Sequence, residues 1–449
     1  MKTVSIRPRE RDAIIQSLRA GVVPRTGQQH IQVGRLEEVK ALIVNLERIA
    51  DGGSGIRFVI GEFGSGKTFF MNLVRSIALE KKLVAVHADL TPDRRLHATG
   101  GQARALYQEL VRNMATRSKP DGGALASVVE RFVTLAVEEA RTRSVRPEVV
   151  IRERLTVLAE MVNGYDFADV VSAYWKGHDS GNDTLKSEAV RWLRGEFTTR
   201  TDAKAALGVR TIVDDANVYD QMKLLARFVR LAGFSGMLIC CDELVNLYKL
   251  ANTKARNTNY EQILRILNDC LQGSAEGIGF LMGGTPDFLL DTRKGLYSYQ
   301  ALQSRLAENR FVKDGLVDYS GPVLRLSNLT SEDLFVLLAK LRNVYASGVA
   351  ERYLIPDEGL KAFMEHCSKK IGDAYFRTPR NTITAFVNLL AVLEQNPGVS
   401  WQQLLEQVQV LPITNPDLQP LENEDAEAEE AIPEPTKKAS DDDLASFKL

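Results

Sequence analysis

The sequence predicts an α/β protein: a parallel sheet built around a phosphate-binding loop, with a large all-helical insertion and a C-terminal helical lid domain. Three observations predict it. Residues 56–90 run apolar strand, glycine-rich loop, amphipathic helix, apolar strand, which is the order of a βαβ unit with parallel strands. Residues 100–208 carry amphipathic helical pattern with almost no strand signal. Three more helical patterns follow the last strand, within residues 331–394.

The elements follow in order. Residues 7–19 form a short, highly charged helix, and a turn-rich link covers residues 21–27. Val33-Gly34-Arg35 opens a second helix, with Val39, Leu42, Ile43 and Leu46 in helical period, and Asp51-Gly52-Gly53-Ser54-Gly55 breaks it. The strand 56–60, the loop, the helix 68–80 and the strand 83–90 come next. After the insertion, the helix 219–232 leads to the strand 236–241, and the helix 260–272 to the strand 278–284. A last strand, 323–326, precedes helices at 331–345, 357–369 and 378–394. The expected organisation is a helical segment 1–46, a nucleotide-binding core 47–320 with its insertion at about 100–212, a lid domain 321–411, and an acidic, disordered tail 412–449.

Bulk properties narrow the class. At roughly 150 residues per domain, 449 residues suggest two or three units. A formal net charge of −1 gives no global steering toward DNA or membranes, so any basic face is local. Cys240 and Cys241 lie in an apolar run, and Cys270 and Cys367 stand alone, so none fits a disulfide scaffold or metal spacing. Residues 1–10 alternate charge, unlike a signal peptide, and no apolar stretch approaches the roughly 20 residues of a membrane span. A soluble cytoplasmic protein with no membrane partner is expected.

The strongest motif is Gly61-Glu62-Phe63-Gly64-Ser65-Gly66-Lys67-Thr68. Gly61 and Gly66 let the backbone wrap phosphate oxygens without Cβ atoms intruding, and successive N–H groups and the following helix N-terminus point at the anion. Lys67 supplies a charge for the β- and γ-phosphates, and Thr68 offers its hydroxyl to Mg²⁺. Phe69 completes the nucleotide-contacting set. Met237-Leu238-Ile239-Cys240-Cys241-Asp242-Glu243 is an apolar run ending in two acids. At the C-terminal edge of a parallel strand, Asp242 would hold Mg²⁺ through water and Glu243 would polarise the attacking water as general base. ATP and Mg²⁺ are the expected ligands, and ATPase activity the expected chemistry.

These motifs resemble the AAA+ class of P-loop ATPases. The fuller set is Val33-Gly34-Arg35, the phosphate loop, Cys241-Asp242-Glu243, Gly283-Gly284-Thr285-Pro286, Ser304-Arg305-Leu306 and Arg377-Thr378-Pro379-Arg380. It looks like the ATP-binding proteins of BREX-type bacteriophage-defence systems and their relatives in other bacterial defence cassettes, over roughly residues 7–410. The resemblance implies a homo-oligomeric AAA+ ATPase related to origin-recognition and STAND-like proteins. It further implies work on or near DNA, with operon partners such as a helicase, methyltransferase or nuclease. It assigns Gly34 and Arg35 to the adenine and ribose, although Gly34 and Arg35 also read as an ordinary helix start. It makes Thr285 a γ-phosphate sensor, although Thr285-Pro286 also reads as a helix cap. It makes Arg380, or less favourably Arg377, the lid arginine; a cation in a helix first turn opposes the dipole and suggests an anion nearby. It places an arginine finger for the neighbouring subunit at Arg305 or Arg310, and five residues apart on a helix these point about 140° from one another.

Direct DNA contact has two local supports. Arg7, Arg9, Arg11, Arg19 and Arg25 cluster near the start, and Arg141-Thr142-Arg143-Ser144-Val145-Arg146 lies in the insertion with Trp175 and Trp192. Residue by residue, amphipathic helices also bury Trp and solvate Arg. His178, in a polar turn, has no assigned role. Asp441-Asp442-Asp443 followed by Leu444, Phe447 and Leu449 resembles a short groove-docking segment. The alternative to a motor is a nucleotide-gated switch or scaffold with slow or no hydrolysis. A small-molecule P-loop kinase fits the large insertion less well.

Overall fold

The computed structural model describes residues 6–309, 311–312, 317–371 and 379–406. Among the described residues, five strands form one sheet: β1 (Ser54–Ile60), β2 (Leu83–Asp89), β3 (Gly236–Asp242), β4 (Ile278–Gly284) and β5 (Val323–Arg325). Their spatial order is β2-β3-β4-β1-β5, and every pair is parallel. The strands alternate faces with period two, as pleated strands must. Phe58, Ile239 and Phe280 enter one core with the insertion, while Val59, Leu238 and Leu281 enter the core on the other face.

The helices up to the insertion are α1 (Pro8–Arg19), α2 (Leu36–Ala50) and α3 (Lys67–Glu80). Between β2 and β3 come α4 (Gln102–Arg112), α5 (Leu125–Arg143), α6 (Pro147–Leu155), α7 (Gly164–Ser180), α8 (Asp183–Leu193), α9 (Arg200–Leu207) and α10 (Val218–Leu231). Then follow α11 (Val245–Tyr248), α12 (Thr253–Gln272), α13 (Pro286–Leu290) and α14 (Gln300–Leu306). After β5 come α15 (Ser331–Tyr345), α16 (Asp357–Ile371), α17 (Pro379–Gln395) and α18 (Trp401–Leu405).

The insertion does not stand apart from the sheet. Phe132, Phe167, Trp192 and Phe228 share a single buried cluster with Phe58, Ile239 and Phe280. Trp192 is buried, its indole N–H donating to the Thr211 carbonyl at 2.8 Å, and Trp175 is buried too. Trp192 leaves no ring face for stacking on bases, and Trp175 shows only 5% of its surface.

α12 begins well before the expected residue 260. Residues 253–259 are mostly polar and show no helical apolar period. Tertiary contacts hold that first stretch instead. Asn252 caps it by accepting the Ala255 N–H at 3.0 Å. Buried Arg256 donates to the Leu250 carbonyl at 2.7 Å, and Asn259 bonds both the N–H and the carbonyl of His97.

The two ends of the described chain meet. Ile14 and Ile15 of α1 pack with Leu338, Phe363, Phe386 and Leu390 in a third core. The Arg11 Nε–H donates to the Tyr345 carbonyl at 2.9 Å, and the Thr384 hydroxyl to the Leu18 carbonyl at 3.0 Å. α2, by contrast, packs on the sheet beside α3. The segment 1–46 therefore contributes to two different cores.

One buried group opposes the fold. Gln221 of α10 is fully buried, and neither atom of its amide has a hydrogen-bond partner among the described residues. An unmet buried amide costs about 1–3 kcal/mol. Gln221→Leu is expected to raise the unfolding free energy by about 1–2 kcal/mol, read as a higher urea midpoint at unchanged slope; a lower midpoint contradicts the assignment. Among the described residues, no helix is long and apolar enough to cross a membrane.

Candidate nucleotide site

All five strands run parallel, so their C-terminal ends share one edge of the sheet, where open α/β sheets bind ligands. The loop 61–66 leaves β1 there. It is held by the Gly61 N–H donating to the Gly284 carbonyl at 3.2 Å. Gly64 and Gly66 both adopt positive φ, at 77° and 83°, which side chains disfavour. A methyl at Gly61 would collide with the buried Ser65 hydroxyl. Gly66 then opens α3, whose first residues are Lys67 and Thr68.

Lys67 curls over the loop, donating to the Gly61 carbonyl at 2.9 Å and the Glu62 carbonyl at 3.0 Å. Thr68 donates its hydroxyl to Asp242 Oδ2 at 2.8 Å. Two residues 174 positions apart in sequence therefore present oxygens to the same point. Gly283 on the adjacent β4 makes room for this: a methyl there would fall on the Asp242 carboxylate. The Glu243 N–H donates to Asp242 Oδ1 at 2.9 Å. Glu243 itself has φ of 57°, a left-handed conformation unusual for a residue with a side chain. The turn is fastened by the Leu244 N–H donating to the Gly283 carbonyl at 3.0 Å. This local strain turns Glu243 out of the strand line and into the cavity that Lys67 and Thr68 also line.

Among the described residues, no group of three or more His, Cys, Asp or Glu is placed to hold a metal ion. Mg²⁺ does not need one, because it keeps several waters and takes one or two protein oxygens plus phosphates. The convergent Thr68 hydroxyl and Asp242 carboxylate are oxygen donors that fit it.

The cavity has three walls. The phosphate loop with Phe63 and Phe69 forms one, residues 21–24 and 31–35 another, and Leu329, Leu337, Pro379, Arg380, Ile383 and Thr384 the third. Gly34 and Arg35 both line it, in consecutive left-handed conformations with φ of 65° and 59°. The Arg35 guanidinium donates to the Ser65 carbonyl, and to the Gly66 and Ser327 carbonyls at 3.4 Å each. It is thus a strap across the back of the loop, tying α2's start to the loop and to the chain leaving β5. Burial pushes Arg35 below the usual guanidinium range, opposed by Glu38 and Asp333. Arg35→Ala is expected to weaken ATP binding by about tenfold, the effect of losing a charge-assisted hydrogen bond. Equilibrium titration with a fluorescent ATP analogue reads it; unchanged affinity removes the strap from the site.

Arg380 lies in the first turn of α17 and stacks over the Phe63 ring at 5.7 Å, so the third wall touches the loop directly. Thr285 sits at the tip of β4, between β1 and β3 in the sheet. Its hydroxyl caps α13, accepting the Phe288 N–H at 3.4 Å, and the residue does not line the cavity. Arg305 is exposed on α14, donating to Asn268 Oδ1 at 2.8 Å and to the Ala301 carbonyl at 2.9 Å, and it lies outside this chain's own cavity. Arg310, Arg377 and Thr378 fall outside the described residues.

Sequence reasoning missed Asp89. It ends β2 in register with Asp242, so two carboxylates stand on neighbouring strand tips. Although its side chain is exposed to solvent and does not line the cavity, desolvation by its surroundings, and then the Asp242 charge, raise its carboxyl above the usual range. An apolar strand ending in an acid was the available signal, the same one that marks Asp242. The apolar walls carried no local signal, because residues 21–24 and 329–384 meet only in the fold.

No curated protein matches the chain. The family described as BREX system ATP-binding protein BrxC/D matches residues 6–409, a span that takes in every element around this cavity, and the chain belongs to that family.

Proposed function

We propose that the chain is an AAA+ ATPase that works as an oligomer on DNA, with proteins of its own operon, in bacteriophage defence. The observation that carries hydrolysis rather than binding alone is the joining of Thr68 and Asp242 at 2.8 Å beside Glu243, which faces the cavity shared with Lys67. In this reading the loop N–H groups and Lys67 hold the β- and γ-phosphates, and Arg380 and the apolar walls cover the rest of the nucleotide. Thr68 and Asp242 would hold Mg²⁺, and the ion would supply charge neutralisation at the phosphoryl oxygens. Glu243 orients the attacking water and takes its proton.

Further assignments rest on placement. Arg305, exposed and outside its own cavity, suits a finger entering a neighbouring subunit's site, with Arg310 the second candidate. Thr285 is the sensor candidate from its place between the two motif strands. A helicase, methyltransferase or nuclease encoded alongside is the expected partner class. The basic residues Arg7, Arg9 and Arg25 are exposed and suit DNA phosphates.

The test is steady-state phosphate release by the wild-type chain with and without duplex DNA. It is paired with mass measurement of the Glu243→Gln variant in ATP. Turnover and an ATP-dependent assembly are expected. No turnover in either condition together with no assembly sinks the motor reading; assembly without turnover supports the nucleotide-gated scaffold instead.

A further inference from the structure

The helical insertion carries a second concave surface, away from the nucleotide cavity. It forms where the ends of α5 and α7 meet the start of α6, and Val137, Ala140, Val145, Pro147 and Trp175 make its floor. Trp175 is 5% exposed, and its indole N–H has no hydrogen-bond partner among the described residues. A buried indole donor usually finds an acceptor, and an unmet one costs about 1–3 kcal/mol. Beside it, Val145 and Val149 are exposed. Among the described residues, nothing accepts that N–H and nothing covers the two valines.

The rim is charged. Arg143 is engaged by Glu139 and Glu153. Arg141 lines the cleft and Arg146 lies between its lining residues Val145 and Pro147 in sequence; both are exposed and form no ion pair among the described residues. His178 faces Glu130 at 3.6 Å on the opposite side, next to Asp179.

Residues 441–449 lie outside the described residues, and their sequence supplies what the surface lacks. Asp441-Asp442-Asp443 provides carboxylates for Arg141 and Arg146. Leu444 and Phe447 provide apolar cover, and Lys448 a counter-charge for Asp179. Carboxylates and backbone carbonyls both offer acceptors to the Trp175 N–H. Length is no obstacle. Residues 407–440 can span up to about 110 Å, against a radius of gyration of about 22 Å for a compact body of 406 residues. Tethering also raises the local concentration to the millimolar range, so weak contacts suffice.

We propose that residues 441–449 dock in cis on this cleft of the insertion, with the Asp run on Arg141 and Arg146 and the apolar residues over Trp175.

The test uses the chain of residues 1–449 and a fluorescein-labelled peptide of residues 441–449, followed by anisotropy. A disabled chain carries Asp441→Ser, Asp442→Ser, Asp443→Ser, Leu444→Ser and Phe447→Ser. The peptide is expected to bind the disabled chain at least tenfold more tightly than the wild type, whose own segment competes. Adding Arg141→Glu and Arg146→Glu to the disabled chain weakens that binding at least fivefold. Adding Trp175→Phe instead, which keeps the floor and removes the donor, also weakens it. Equal peptide binding to disabled and wild-type chains overturns docking in cis. No binding to either, or binding insensitive to the cleft substitutions, overturns the site. Competition that appears only as wild-type concentration rises assigns the segment to a second copy and overturns the cis form.

Discussion

Glu243→Gln is expected to lower ATP turnover by at least about a hundredfold, the usual scale for removing a general base, while ATP binding stays within about twofold. The side chain keeps its shape. The backbone that aims it is fixed by bonds the substitution does not touch: the Glu243 N–H on Asp242 Oδ1 at 2.9 Å and the Leu244 N–H on the Gly283 carbonyl at 3.0 Å. Only the basicity of the carboxylate is lost. Single-turnover phosphate release, measured beside equilibrium ATP binding, separates the two quantities. Turnover within a few-fold of wild type moves the base elsewhere, and Asp89, in register with Asp242, is then the carboxylate to examine.

Lys67→Ala is expected to weaken ATP binding by about ten- to a hundredfold, which is about 1.5–3 kcal/mol for charge-assisted hydrogen bonds to phosphate. Phosphate release is expected to fall with it. The ammonium donates to the Gly61 and Glu62 carbonyls at 2.9 and 3.0 Å, both in the loop itself rather than in a core. The melting temperature is therefore expected to stay within a few degrees of wild type. Calorimetric titration and thermal unfolding together decide it. Wild-type affinity in a folded variant removes Lys67 from phosphate binding.

Much of the sheet is legible in the sequence. Strands such as β3 and β4 are continuous apolar runs bounded by glycine or acid, and burial on both faces of a parallel sheet requires that pattern. The loop at β1 is legible because its glycines have a steric reason that any phosphate cradle shares. What the sequence hides is long-range. Nothing local in residues 8–19 says that α1 packs on α17, and only the fold brings Thr384 to Leu18. α12 is underestimated because its first two turns are polar and held by Arg256 and Asn259 rather than by an apolar stripe. Arg35 illustrates the same limit at the site. Its type and position suggest an anion or sugar contact, but its guanidinium reaches the carbonyls of Ser65, Gly66 and Ser327. The Ser327 contact depends on β5 lying beside β1.

On the proposed function, the phosphate loop and the acidic end of β3 act as one metal-dependent nucleotide site. The most direct measurement is ATP affinity with Mg²⁺ and with EDTA, for the wild type and for Asp242→Asn. Mg²⁺ is expected to tighten binding to the wild type several-fold. In the variant that gain disappears while metal-free affinity is unchanged, because Lys67 and the loop amides remain. Equal affinity with and without Mg²⁺ in the wild type, or a full Mg²⁺ gain in Asp242→Asn, contradicts the claim.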